Sequence, residues 1–190
     1  QKILMDPEVT SVRLVVNPAK MVINETKRAF TYMCLYGLTV DCLVVNRLIP
    51  EGNNGYFKEK IEEQEKYMRV INESFNPLKI LTASQLPVEL VGIRSLEKLG
   101  EMVFGGIDPV THFSTDKPME IYSDNGMDII SLKLPFTMKD TVHLYMSGDN
   151  LLVEVGQYRR SIALPTTFTR KEPSKAEFKE GRLHISFRSD

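Results

Sequence analysis

Two stretches decide the fold of the last third of the chain, YRRSIALP at 158–165 and AEFKEGRLHI at 176–185. In the first, apolar side chains alternate with small ones until Pro165, which has no N–H to donate and so ends the pairing of a strand. In the second, Glu180 and Gly181 form a turn, after which every second side chain is apolar. Both stretches therefore predict strands of an antiparallel sheet with one apolar face.

The order of these two motifs resembles the α-crystallin-type fold of small heat-shock proteins. The resemblance implies an antiparallel, immunoglobulin-like β-sandwich of α-crystallin type over residues 118–190. Alternating patterns at 119–122 and 129–134 indicate further strands of the same domain. That fold binds other proteins and has no active site, so we expect any chemistry to lie earlier in the chain.

Composition excludes several classes of function. The chain has 190 residues, of which 42% are hydrophobic and 26% charged, as is ordinary for globular proteins. Its 24 Lys and Arg residues nearly balance 25 Asp and Glu residues, so binding to nucleic acid or to anionic membranes has no electrostatic support. No apolar run approaches the roughly 18 residues that a membrane span needs. The chain begins with Gln1 rather than Met, and we expect it to be part of a longer protein.

The first hundred residues alternate between strand and helix patterns. The predicted strands are 12–16, 40–46 and 78–81, and the predicted helices are 18–36, 56–73 and 93–104. This alternation indicates βαβ units and therefore a right-handed parallel sheet of the α/β class. On the first helix, the spacing of Val22, Ala29, Met33 and Tyr36 predicts that they face the core.

The periodicity changes from helical to alternating after residue 104. Gly105 is suited to end the preceding helix, and Pro109 cannot continue it. We therefore expect an α/β domain at 1–108, a linker at 109–117 and the β-sandwich at 118–190.

Motifs for catalysis are sparse. The sequence has no phosphate-cradling G-x-x-x-x-G-K-[S/T] loop, no G-x-G-x-x-G and no G-x-S-x-G. The acidic residues at 62, 63 and 65 lie among lysines, which favours a solvated helix face over acid–base chemistry. Cys34 and Cys42 have no histidine pair beside them, so we interpret them as reduced core thiols of a cytoplasmic protein. No catalytic residue and no metal ligand is predicted in this chain.

One polar residue stands at the end of a buried strand. Asn46 follows Val44 and Val45, and the carboxyl ends of strands face the ligand crevice in open α/β sheets. An amide offers a donor and an acceptor together, which suits the edge of an adenine ring. The alternative is that Asn46 satisfies the backbone of its own turn, as Asn often does at strand ends.

A longer series of motifs resembles a known family. The motifs are SVRLVVNPAKM at 11–21, RAFTY at 28–32, LYG at 35–37, VVNR at 44–47 and PVELVG at 87–92. Their order is similar to the carboxyl-terminal half of the nucleotide-binding domain of anion-transporting ATPases. This family holds the arsenical pump-driving ATPases and the ATPases that target tail-anchored membrane proteins. Some bacterial members also carry an α-crystallin-like carboxyl-terminal domain.

The resemblance implies a dimeric, deviant P-loop ATPase that uses ATP and Mg²⁺. In such a protein Asn46 and Arg47 would lie at the adenine base. The loop that contains Ser84, Gln85, Leu86 and Pro87 would close over the base. The family's Walker A loop, switch regions and cargo-binding helices precede the segment that these motifs resemble, so this chain alone is expected to be inactive and to need no cofactor.

Two departures from the family pattern stand out. The zinc-binding cysteine pair of some eukaryotic dimers is missing, because Leu48, Ile49 and Pro50 follow the VVNR motif. A Pro-Leu-Phe-like run is common in the final loop, whereas this chain has Ser84, Gln85 and Leu86 there.

The expected partners of the parent protein are a second copy of itself and a protein cargo or membrane pump, with no nucleic acid and no direct membrane span. The sequence leaves open whether the cargo is arsenite, a tail-anchored protein or something else. The competing hypothesis is a non-enzymatic, chaperone-like protein-binding module on an α/β scaffold.

Overall fold

The computed structural model describes residues 2–50, 57–168 and 171–188. The chain divides into two compact units. The α/β unit contains Glu8–Thr26 and Val40–Thr115, and the strand-rich unit contains Gln1–Pro7, Lys27–Thr39 and Asp116–Asp190.

The α/β unit is built on a parallel sheet. Its strands are β1 (Val12–Val16), β2 (Val40–Leu48) and β3 (Lys79–Ser84), in the order β1-β2-β3. The helices of this part of the chain are α2 (Lys20–Leu35), α3 (Lys58–Phe75) and α4 (Ile93–Phe104), and a short helix α1 (Lys2–Met5) precedes them. Both strand pairs are parallel, which confirms the predicted βαβ arrangement. The sequence reading did not predict α1.

Strand β2 is the most buried strand of this sheet. Cys42, Leu43 and Val45 are all 0% exposed, as expected for a strand that is covered on both faces. The predicted end of α4 is also confirmed. Gly105 adopts a left-handed conformation with φ 59°, and its N–H donates to the carbonyl oxygen of Glu101 at 2.8 Å.

The predicted inward face of α2 is wrong by one residue. Ile23, Phe30 and Cys34 are at most 5% exposed, whereas Tyr36 is 45% exposed, and Val22, Ala29 and Met33 are only half-buried. Both sets have the same helical spacing, so periodicity alone does not select between them. The observed face also buries a polar residue, Thr26, whose hydroxyl donates to the carbonyl oxygen of Val22 at 2.8 Å.

The strand-rich unit contains two antiparallel sheets. Their order is β4-β5-β10-β9 and β6-β7-β8. The strands are β4 (Met119–Asp124), β5 (Met127–Lys133), β6 (Val142–Ser147), β7 (Asn150–Val155), β8 (Tyr158–Ala163), β9 (Pro173–Lys179) and β10 (Arg182–Arg188). The stretch at 158–165 contains β8, and the stretch at 176–185 lies in the β9–β10 hairpin, whose predicted turn has positive φ at Glu180 and Gly181.

Both antiparallel sheets contribute to one buried cluster. Ile130, Leu132, Leu151, Val153, Ile185 and Phe187 are all at most 2% exposed. Leu35, from the last turn of α2, joins the same cluster and is 0% exposed. The carboxyl-terminal end of α2 is therefore part of the core of the strand-rich unit.

An arginine from β8 holds this end of α2. The Nη1 atom of Arg160 donates to the carbonyl oxygen of Leu35 at 2.5 Å. The last carbonyl groups of a helix have no partner within the helix, so this hydrogen bond supplies one. Burial lowers the pKa of the Arg160 guanidinium. Beside it, Gly37 has φ 83°, and a Cβ atom there would lie 2.5 Å from the Cε atom of Met5.

We predict that Arg160→Met destabilises the chain by about 1.5–3 kcal/mol, because a hydrogen bond from a charged donor is lost and a helix carbonyl loses its partner. Arg159→Met is the matched control. Its side chain is 65% exposed and pairs with Glu154 at the surface, so its loss should change little. Urea unfolding gives the free energy of unfolding of each variant, with the dependence of that free energy on urea concentration expected to stay unchanged. Equal urea midpoints for the two variants would contradict the assigned role of Arg160.

The segment that follows α4 is held to the sheet by Arg13 of β1. Its Nη1 atom donates to the carbonyl oxygen of Pro109 at 2.6 Å, and its Nη2 atom donates to that of Thr111 at 2.8 Å. The guanidinium carbon lies 5.6 Å from the ring centroid of Phe104 and 5.2 Å from that of Phe113. Arg13 therefore fixes part of the segment that was predicted as a linker.

A buried carboxylate completes this cluster. Asp41 of β2 is 0% exposed, and its Oδ1 atom lies 3.6 Å from the Nε atom of Arg13. Its Oδ2 atom accepts a hydrogen bond from the backbone N–H of Phe113 at 3.2 Å. Asp41 and Arg13 thus hold the same segment, one through an N–H group and the other through carbonyl groups.

We predict that Arg13→Met costs about 3–5 kcal/mol of stability, because it leaves the Asp41 carboxylate buried without a counter-charge. The double variant Arg13→Met with Asp41→Asn should recover a substantial part of this loss, since a neutral amide needs no counter-charge and still accepts from Phe113. Chemical denaturation of both variants and of Asp41→Asn gives the coupling free energy. Additive effects of the two substitutions would refute the pairing.

Candidate nucleotide-binding site

The carboxyl ends of β2 and β3 form the candidate site. The two strands are in register from Cys42 opposite Lys79 to Val45 opposite Thr82, and pairing resumes with Leu48 opposite Ser84 after a shift. The N–H of Gln85 then donates to the carbonyl oxygen of Leu48 at 2.7 Å. The ends of two neighbouring parallel strands are therefore joined at the edge of the sheet where ligands bind in open α/β folds.

The structure brings four of the six predicted site residues to these strand ends. Asn46 and Arg47 are near the end of β2, Ser84 is the last residue of β3, and Gln85 follows it. Leu86 and Pro87 come next in the loop that leads to α4, where Leu86 is half-buried and Pro87 exposed.

The side chain of Asn46 is half-buried and ordered by the backbone. Its Oδ1 atom accepts a hydrogen bond from the N–H of Arg47 at 2.9 Å. This is the turn-satisfying arrangement that the sequence left open as the alternative to base recognition. An amide oxygen has two lone pairs and an amide nitrogen carries two hydrogens, so this single bond does not exhaust the hydrogen-bonding capacity of Asn46.

The backbone at Arg47 departs from the strand conformation. Its φ is 60°, in the left-handed region that non-glycine residues seldom adopt. The departure coincides with the shift in register between Val45 and Leu48. Residues in such conformations cluster at ligand-binding sites, where the surrounding structure maintains them. The bond from Arg47 to Asn46 is one of the contacts that maintain this turn.

Helix α4 lies against the other half of the site. The N–H of Ser84 contacts the Sδ atom of Met102 at 3.2 Å. The loop before α4 and the start of the helix expose large apolar side chains, with Val88 and Val91 both 72% exposed and Ile93 75% exposed. The residues that would close over a base are thus followed by an apolar surface.

The chemistry of the remaining candidate ligands is limited. Burial raises the pKa of the Cys34 thiol to about 12 and also raises that of Cys42, so both free thiols stay protonated at neutral pH. Among the described residues, no group of three or more His, Cys, Asp or Glu side chains could hold a metal ion. Within the same ranges, no helix has the length and apolar character needed to cross a bilayer.

One residue near the site was missed by the sequence reading. Gln64 of α3 contacts the backbone of Ile49, just beyond β2. No sequence pattern marks Gln64, because its partner is a backbone amide on another element and it lies within a run of charged residues.

Comparison with known proteins agrees with this architecture. Strands that alternate with helices in a parallel sheet place the first part of the chain in the α/β class, whose ligands bind at the carboxyl ends of strands. A family model described as "Anion-transporting ATPase" matches residues 1–105. The chain belongs to this family. A second model, described as "HSP20-like domain found in ArsA", matches residues 125–187.

Two curated relatives match nearly the whole chain. "Putative arsenical pump-driving ATPase 1" from Aquifex aeolicus is 33% identical over 97% of this chain and 48% of the relative. "Putative arsenical pump-driving ATPase" from Chlorobaculum tepidum is 37% identical over 98% of this chain and 46% of the relative. The chain spans about half the length of these relatives.

A solved structure overlaps with part of the chain. A mutant of hsp14.1 from Sulfolobus solfatataricus is 19% identical and covers 38% of this chain and 76% of its own, with a TM-score of 0.32. At that score the overlap adds no weight, and the HSP20-like assignment rests on the family model.

Proposed function

We propose that this chain supplies the adenine side of the nucleotide site in an ATP-hydrolysing member of the anion-transporting ATPase family. The observation that supports the proposal is the joining of two parallel strand ends, since Leu48, which follows Asn46 and Arg47, pairs with Ser84 and accepts from the N–H of Gln85. These are the positions where the family resemblance puts the base. Asn46 offers the amide chemistry that an adenine edge requires.

The phosphate side of the site lies outside this chain in the proposal. The sequence contains no phosphate-cradling loop, and it corresponds to about half of each curated relative. ATP and Mg²⁺ belong to the longer parent protein, in which Asn46, Arg47 and the loop at 84–87 would bind and orient the base. When bound, Mg²⁺ would neutralise charge on the phosphates.

The proposed mechanism of the parent is nucleotide-dependent switching in a homodimer. The dimer closes on ATP and opens after hydrolysis, which couples the nucleotide state to the release of a protein cargo or of a membrane pump partner. We place this protein in the cytoplasm. The choice between arsenite, a tail-anchored protein and another cargo depends on residues outside this chain.

The strand-rich unit supports a second role in protein binding. We propose that its two antiparallel sheets form an immunoglobulin-like β-sandwich that binds proteins at its strand edges. The match of residues 125–187 to an HSP20-like domain favours this role. A chaperone-like binding module on an inactive α/β scaffold is the alternative if the parent does not bind nucleotide.

The 190-residue chain alone should not hydrolyse ATP, because its sequence has no loop for the β- and γ-phosphates. Phosphate release from the purified chain measures this directly. Turnover that survives repurification and exceeds the buffer background would contradict the proposal.

Two substitutions at Asn46 separate base recognition from the local turn. In the protein expressed from the complete coding sequence, Asn46→Asp keeps an acceptor for the N–H of Arg47 but removes the NH₂ donor. We predict that it weakens ATP binding by about 1–3 kcal/mol and lowers the preference for ATP over GTP, with little change in thermal stability. Asn46→Ala should lose both ATP affinity and stability.

Turnover and nucleotide affinity together test this role of Asn46. At saturating ATP, kcat should change little in Asn46→Asp, since the amide is remote from the phosphates and its loss raises KM. If Asn46→Asp binds ATP and GTP with wild-type affinities while Asn46→Ala only lowers stability, Asn46 serves its turn alone and does not read the base.

A further inference from the structure

Gln64 of helix α3 holds the backbone just beyond the candidate site. Its Oε1 atom accepts a hydrogen bond from the N–H of Ile49 at 2.7 Å. Its Nε2 atom donates to the carbonyl oxygen of the same residue at 3.3 Å. One side-chain amide therefore bonds both the N–H and the carbonyl oxygen of Ile49, as a neighbouring strand would.

These bonds occur where the sheet no longer supplies partners. Strand β2 ends at Leu48, whose carbonyl oxygen accepts from the N–H of Gln85 on the β3 side. The next residue, Ile49, is bonded to Gln64 on the α3 side. The chain between Arg47 and Ile49 is thus held from two directions immediately after its left-handed turn.

The chemistry of position 64 suits this task. Gln carries a donor and an acceptor at the end of a long side chain, whereas Glu is an acceptor only when ionised. Gln64 is half-buried, but the flanking Glu63 and Glu65 are exposed. An ionised carboxylate at position 64 would face the carbonyl oxygen of Ile49 without a hydrogen to donate.

We propose that Gln64 is a positioning residue for the adenine site. By fixing Ile49 it keeps the β2 end in the register that Leu48 shares with β3, and this register sets the left-handed turn at Arg47 and the orientation of the Asn46 amide. Gln64 acts through the backbone and does not contact the base. This inference rests on the proposed function of Asn46.

The test compares Gln64→Leu, Gln64→Glu and the control Glu65→Gln in the protein expressed from the complete coding sequence. Both Gln64 variants should raise KM for ATP by roughly three- to tenfold, which corresponds to the loss of one or two hydrogen bonds, and should lower the ATP-to-GTP preference. The kcat at saturating ATP should stay within about twofold, because phosphate chemistry is unaffected. Glu65→Gln should change none of these values.

Hydrogen exchange supplies a readout that does not depend on turnover. The Ile49 amide should exchange faster in Gln64→Leu than in the wild type, because the acceptor of its N–H is lost, while amides of β2 within the ladder keep their protection. Gln64→Glu keeps an acceptor for this N–H and loses only the donor to the carbonyl oxygen of Ile49, so its effect is measured by KM and nucleotide preference. Unchanged exchange at Ile49 in Gln64→Leu, or unchanged KM and nucleotide preference in Gln64 variants that remain folded, would overturn the positioning role.

A parallel titration of Asn46→Asp separates this inference from the proposed function. If Asn46→Asp weakens ATP binding while both Gln64 variants bind normally, the site stands and the positioning role is refuted. If neither Asn46→Asp nor the Gln64 variants alter ATP binding, both the adenine site and the role of Gln64 are refuted.

Discussion

The backbone hydrogen bond from the N–H of Gln85 to the carbonyl oxygen of Leu48 joins the ends of two parallel strands, and the candidate site depends on it. Without it, the register shift after Val45 would leave the end of β2 without a neighbour in β3. With it, a polar turn at Asn46 and Arg47 lies beside the start of the loop at Ser84. A parallel sheet thus brings residues that are distant in sequence to one edge through backbone pairing.

Long side chains that bond to the backbone hold the ends of several elements in this molecule. At the candidate site Gln64 supplies an amide to a peptide that has left the sheet. Arg13 binds two carbonyl oxygens of the segment after α4, and Arg160 binds the last turn of α2. In each case a long side chain satisfies backbone groups where regular secondary structure ends. Buried backbone groups without partners are costly, so these residues stabilise the ends that helices and strands leave open.

The sequence predicted the elements well where one period dominates. Alternation identified β8 and β10, and an unbroken apolar run identified β2. The prediction of the inward face of α2 was wrong because Met33 and Cys34 both continue a helical apolar pattern. The contact of Gln64 with Ile49 could not be predicted, since its partner is a backbone group on another element and no sequence pattern indicates such a contact. The identity of the site residues came from the family resemblance, whereas their mutual placement required the structure.

Photolabelling of the protein expressed from the complete coding sequence with 8-azido-ATP tests the central claim most directly, because the reactive group is on the base. After irradiation and digestion, we predict labelled peptides that contain Asn46 and Arg47 or the loop at 84–87, with labelling suppressed by excess ATP. Specific labelling confined to other parts of the protein would contradict the assignment of these strand ends to the adenine.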